Sequence, residues 1–137
     1  SSSSAASDVY KRQNLDRVIR IKTSTCRGGI IENVFVRDIT VGQCREAVLR
    51  INLQYENREN CNRNFPPVVR NVHLKNVTCE KSRLGVLIIG LDDDQHVYNI
   101  SVEDSHFNNV AKGTNDIKGA KDVTLKNLYI NGKLVKE

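Results

Sequence analysis

"ENVFVRDITV", residues 32–41, sets Asn33 ahead of Val34 and Val36 and closes the alternation on Asp38. The same order recurs without gaps in "RNVHLKNVTC" (70–79), "YNISVEDSHF" (98–107) and "KDVTLKNLYI" (121–130). One apolar position is filled by Val34, Val72, Ile100 and Val123, and the next by Val36, Leu74, Val102 and Leu125. A period of two marks strands buried on one face, because successive side chains of a strand point to opposite sides. Recurrence every 23 to 38 residues marks stacked coils joined by loops of unequal length.

A second strand family lies between the first: "RVIRIKT" (17–23), "AVLRINL" (47–53) and "GVLIIGL" (85–91). Two strand classes in rotation, with helical spacing nowhere sustained, predict an all-β chain folded as a right-handed parallel β-helix, one strand per sheet in each coil. Asn33, Asn71, Asn99 and Asp122 occupy one place in successive coils and are expected to stack as ladders at turns, which makes them structural. The sequons Asn76-Val77-Thr78 and Asn99-Ile100-Ser101 fall on the repeat itself, so glycosylation is the weaker reading of them. Near the C-terminus, Asn131-Gly132 predicts a hairpin that ends the helix. The front carries no cap, so exposed strand edges and aggregation are expected there.

Residues 1–13 share nothing with the repeat. Their apolar residues are too scattered for the core of a secretory signal. "SSAASDVYKRQ" (3–13) instead matches what a transposon-end sequencing adapter would encode. The expectation is a non-native, disordered leader over 1–13, followed by 14–137 as the C-terminal coils of a β-helix whose N-terminal coils are missing.

The chain's net charge is +5, of which Asp8, Lys11 and Arg12 supply +1, leaving +4 for 14–137. With aromatics at 5% and no aromatic-studded basic strand, nucleic-acid binding is not expected, and a different anionic partner fits better. No window approaches the ~18 apolar residues of a membrane-spanning helix. Cys26, Cys44, Cys61 and Cys79 lie 17 or 18 residues apart without a Cys-x-x-Cys pair, which disfavours zinc or redox chemistry. Small buried or loop thiols are the favoured reading for each, with one disulfide open as an alternative.

"VIRIKTSTCRGG" (18–29) carries the chemistry. Arg20 and Lys22 share a strand face with Cα atoms ~7 Å apart, while Ile19 and Ile21 face the core. Alignment of the second family sets Arg50 about 5 Å from Arg20 and Asn52 beside Lys22, one coil on. Like charges so placed repel unless an anion lies across them; taken alone, the pattern also fits a solvated basic face.

The run Arg20-Ile21-Lys22-Thr23, followed by Arg27-Gly28-Gly29 and "ENVFVRDI", resembles the C-terminal part of the polygalacturonase family, glycoside hydrolase family 28, over all of Asn14–Glu137. The resemblance implies a right-handed parallel β-helix, export to an extracellular or periplasmic setting, and an enzyme that needs no cofactor or metal. It implies that Arg20 and Lys22 bind the galacturonate carboxylate at the cleavage point, and that Tyr55 in "NLQYEN" contacts the sugar. The family's acids come from upstream Asn-Thr-Asp, Asp-Asp and Gly-His-Gly motifs, none of which is in this chain. The implied parent cuts α-1,4-galacturonan with inversion, one acid protonating the leaving oxygen and a carboxylate activating water. The fragment itself is expected to be inactive.

The implied partner is an acidic polysaccharide, and the implied full-length form a monomer with no nucleic-acid or membrane partner. Asp92–Asp94 with His96 match no family motif and read as a solvated turn, with a calcium site as the alternative. His73 and His106 read as surface residues rather than bases. Rival readings are a rhamnogalacturonan hydrolase, a calcium-dependent pectate lyase, and a non-catalytic β-helix for adhesion or polysaccharide binding.

Overall fold

The computed structural model describes the backbone of residues 4–5 and 11–12 and, with side chains, residues 18–55 and 60–136. Two short strands, β1 (Ser4–Ala5) and β2 (Lys11–Arg12), precede β3 (Ile19–Lys22), β4 (Ile30–Val41), β5 (Ala47–Asn52) and β6 (Val68–Cys79). Then come β7 (Leu84–Ile89), β8 (Val97–Phe107), β9 (Asp116–Lys118), β10 (Lys121–Ile130) and β11 (Lys133–Leu134). From β3 to β10 the chain alternates between two sheets. The longer runs β1-β4-β6-β8-β10-β11, with β2 also on β4; the shorter runs β3-β5-β7-β9. Every pairing is parallel except the β10–β11 hairpin at Asn131-Gly132. This is the parallel β-helix that the repeat predicts.

The long strands β4, β6, β8 and β10 are not straight. Asn33, Asn71, Asn99 and Asp122 all have φ between 50° and 60°, and so do Asp38, Asn76, Asp104 and Asn127, five positions further on. Asn and Asp tolerate this left-handed region better than other side chains with a Cβ. Backbone pairing skips these positions: Glu32 pairs with Arg70 and Val34 with Val72, then Arg37 with Lys75 and Ile39 with Val77. Each long strand therefore turns two corners and wraps the core. At the first corner Asn71 donates to Asn33 (3.1 Å) and Asn99 donates to Asn71, giving the expected ladder. The second corner carries a ladder of its own, Asn76 to Asp38 and Asn127 to Asp104, both at 2.8 Å.

Inside, Val72, Leu74, Ile100 and Val102 of the long sheet meet Leu49, Ile51, Val86 and Ile88 of the short one, all essentially inaccessible. Their counterparts in the outer coils, Val34, Val36, Val123 and Leu125, are only partly buried. Stacked coils come close enough at Gly90 that a Cβ there would clash with the Gly119 carbonyl oxygen. The strand β9 escaped the sequence pattern, because its three residues offer only Ile117 to the interior.

One further point differs from the sequence reading. Cys26 and Cys61 form a disulfide with Cα atoms 5.7 Å apart, where separate thiols were favoured. Their meeting depends on how the turn after β3 lies against the segment around Phe65, which chain spacing does not encode. In the leader, β1 pairs with Phe35–Val36 and β2 with Thr40–Val41 along the edge of β4. The remainder of the leader lies outside the described residues.

Candidate functional site

In β3 the burial pattern alternates strictly, with Ile19 and Ile21 packed into the core and Arg20 and Lys22 exposed on the outer face of the short sheet. Register with the next coils builds two columns across that face. Arg20 is followed by Arg50, Leu87 and Asp116; Lys22 is followed by Asn52, Ile89 and Lys118. The pairs expected from sequence, Arg20 beside Arg50 and Lys22 beside Asn52, are both present.

The cations on this face differ in their surroundings. Arg50 is mostly buried and its Nε lies 3.4 Å from Glu46 Oε1. Sequence reading missed Glu46, whose place before β5 falls outside the repeat. Neither Arg20 nor Lys22 has a carboxylate within salt-bridge distance among the described residues. Instead, Lys22 Nζ stands 4.6 Å from the centroid of the Tyr55 ring, a distance at which the ring's quadrupole attracts an ammonium.

Tyr55 is held by its backbone. Its N–H donates to the Thr23 carbonyl (3.0 Å), just as Thr23 N–H donates to the Asn52 carbonyl (2.8 Å), so the chain leaving β5 stays paired alongside the end of β3. The Asn52 side chain accepts from Gln54 N–H at 2.8 Å and fixes that turn. All three residues singled out in sequence, Arg20, Lys22 and Tyr55, thus stand on one face, with Tyr55 and Lys22 in direct contact.

The wall beside them is built by the turn after β3. Arg27 and Gly28 donate to the Ser24 carbonyl, and Gly28 has φ +63°. A Cβ at Gly28 would stand 3.0 Å from that of Phe65. Phe65 N–H donates to Thr25, and the Cys26–Cys61 disulfide ties the same two segments together. This accounts for Gly28, where the turn accepts close contact from the loop before β6. Beyond it opens a cavity of about 580 Å³ lined by Gln54, Arg63, Asn64, Asp92, Asp93 and His96 among others. The sequence singled out Asp92, Asp93 and His96 only as a turn; the cavity gathers them with residues of two other connections, which the repeat does not bring together.

The remaining candidates stand apart from this face. Asp93 accepts from Gln95 N–H and lies 3.6 Å from His96 Nε2, while Asp94 accepts from the Gln95 side chain. Among the described residues no group of three His, Cys, Asp or Glu side chains could hold a metal ion. His73 stacks on Phe35 and meets Ser101 Oγ at 2.6 Å, and His106 stacks on Tyr129. Burial lowers the His73 pKa, against an opposing pull from Glu103. Asn76 and Asn99 are engaged in the corner ladders.

Two strands in rotation around one core, with a cationic face flanked by an aromatic ring, narrow the relatives to be expected. No curated protein and no solved structure matches this chain significantly. The model of one family, described as glycosyl hydrolases family 28, matches residues 8–121. Extending over most of the chain and all but the last coil, that match assigns the protein: it belongs to glycosyl hydrolase family 28.

Proposed function

We propose that the chain is the C-terminal part of a polygalacturonase that hydrolyses α-1,4-galacturonosyl linkages of pectin, and that Arg20 and Lys22 grip a substrate carboxylate. One observation carries this reading. Two exposed cations share a strand face, have no carboxylate partner among the described residues, and one of them rests on Tyr55. A carboxylate across them would accept the planar guanidinium fork of Arg20 on one side and the compact ammonium of Lys22 on the other. The Tyr55 ring backs Lys22 and offers an edge to the sugar.

In this reading the acid and base of inverting hydrolysis belong to coils that precede β3 in the parent enzyme, and this part contributes substrate grip and orientation. The parent is an exported monomer acting on an acidic polysaccharide without a cofactor. The disulfide between Cys26 and Cys61 supports export, since such bonds persist in oxidising compartments.

Titration calorimetry with trigalacturonate tests the grip. Replacing Arg20→Ala and Lys22→Ala together removes two charge-assisted contacts and is expected to weaken binding about 100-fold. Equal affinity of the double variant and the wild type would overturn the assignment. The chain alone is expected to release no reducing ends from polygalacturonate, and their release would show that its own residues suffice for hydrolysis.

A further inference from the structure

Cys44 and Cys79 repeat the arrangement of the bridged pair. They are 35 residues apart, the same separation as Cys26 and Cys61, and likewise belong to successive coils. Cys79 ends β6, where its register partner in β4 is Val41, and Cys44 follows three residues after Val41. The Lys81 carbonyl holds both: it accepts from Cys44 N–H at 2.8 Å and from the Cys79 thiol at 3.2 Å. The two sulfurs stand 3.6 Å apart, and both side chains are sealed from solvent at 1% and 0% exposure.

We propose that Cys44 and Cys79 are the site of a second disulfide between coils, closed under the same oxidising conditions as Cys26–Cys61. A disulfide needs its sulfurs at ~2.05 Å and its Cα atoms at about 4.4–6.8 Å. The sulfurs, at 3.6 Å, need to close by about 1.5 Å to meet the first requirement. The side-chain contact with Cys44 lowers the Cys79 pKa despite burial, and the thiolate is the form that attacks a disulfide.

The exchange balances with an external disulfide as oxidant. The Cys79 thiolate attacks one sulfur of glutathione disulfide and expels a glutathione thiolate, leaving Cys79 in a mixed disulfide. The Cys44 thiolate then attacks Cys79 Sγ and expels the second glutathione. Two protein S–H bonds become one S–S bond, and the oxidant leaves as two thiols carrying the two protons. Because both cysteines are sealed in the folded state, the exchange takes place before this coil closes or during its local opening.

The test is a peptide map. The chain is equilibrated in glutathione disulfide buffer, denatured without reductant in the presence of iodoacetamide, digested and weighed by mass spectrometry. The expected result is a linked peptide joining Cys44 to Cys79, beside the Cys26–Cys61 peptide. Alkylation of both Cys44 and Cys79 in molecules whose Cys26–Cys61 bond is intact overturns the proposal, as does a link from either to Cys26 or Cys61. A second protein, Cys26→Ser with Cys61→Ser, leaves only this pair to close. Its Tm is expected to rise by several degrees on oxidation, and an unchanged Tm with both thiols alkylated is the opposing result.

Discussion

Glu32, Arg70, Tyr98 and Lys121 stack across four coils of the long sheet, while Arg20 and Arg50 stack across two coils of the short one. The first column closes on itself. Arg70 makes contacts of 2.8 and 2.9 Å to one Glu32 oxygen and donates to the Tyr98 hydroxyl at 3.2 Å, while Lys121 Nζ lies 5.5 Å over the Tyr98 ring. The second column sets guanidinium beside guanidinium, and among the described residues only Arg50 has a carboxylate, Glu46, to answer it. A stacked fold brings side chains together every ~4.8 Å, so each charge meets the charge of the next coil. The first column is satisfied within the fold; in the function proposed above, the cations at the start of the second are completed by a carboxylate from outside.

Giving the cationic face its own carboxylate is the sharpest way to break this contrast. Asn52 sits in register with Lys22 and accepts from Gln54 N–H. Asn52→Asp keeps that acceptor and the shape, but adds a negative charge one coil from Lys22. The expected outcome is trigalacturonate binding weakened about tenfold or more, from Coulomb energies of one to a few kcal/mol at such separations, with the fold unchanged by circular dichroism. Undiminished binding would show that these cations do not meet the substrate carboxylate.

How far the two columns could be read in advance follows from their periodicity. Val34 to Val123 and Val36 to Leu125 repeat, so the inward faces, the register and the first ladder at Asn33, Asn71 and Asn99 were all legible. The second ladder was present in the same motif, as Asp38, Asn76, Asp104 and Asn127. Yet nothing in a period of two distinguishes a polar corner from a polar outward position; the left-handed φ does. Arg20 and Lys22 were legible because they lie on a repeating strand. Glu46, the loop cavity and the Cys26–Cys61 bond were not, since each depends on segments whose length and direction differ from coil to coil.

The self-contained column makes a smaller and opposite prediction. Arg70→Met keeps much of the aliphatic stem but leaves Glu32 without its cation and the Tyr98 hydroxyl without its donor. Partly exposed pairs contribute little individually, so a Tm lower by about 2–4 °C is expected, with binding of trigalacturonate unaltered. A loss of binding equal to that of Asn52→Asp would erase the distinction between the two columns.

The smallest expected effect concerns a third column, in which Phe35, His73 and Ser101 stack beside the charged one. Burial holds the His73 pKa below its ordinary 6.5, with Glu103 pulling the other way. In the unfolded chain His73 takes up a proton near pH 6.5, whereas in the fold it resists until a lower pH. Between those two values unfolding binds a proton, so this contribution to stability is complete above pH 6.5 and is lost as the pH falls below it. His73→Gln removes the titration and leaves the other ionisable groups in place. Between pH 7.5 and 5.5, wild-type Tm should fall by about 1–2 °C more than that of the variant. Equal falls would mean that the stacked imidazole accepts its proton as readily as in the unfolded chain, and that the contact with Phe35 and Ser101 does not favour the neutral ring.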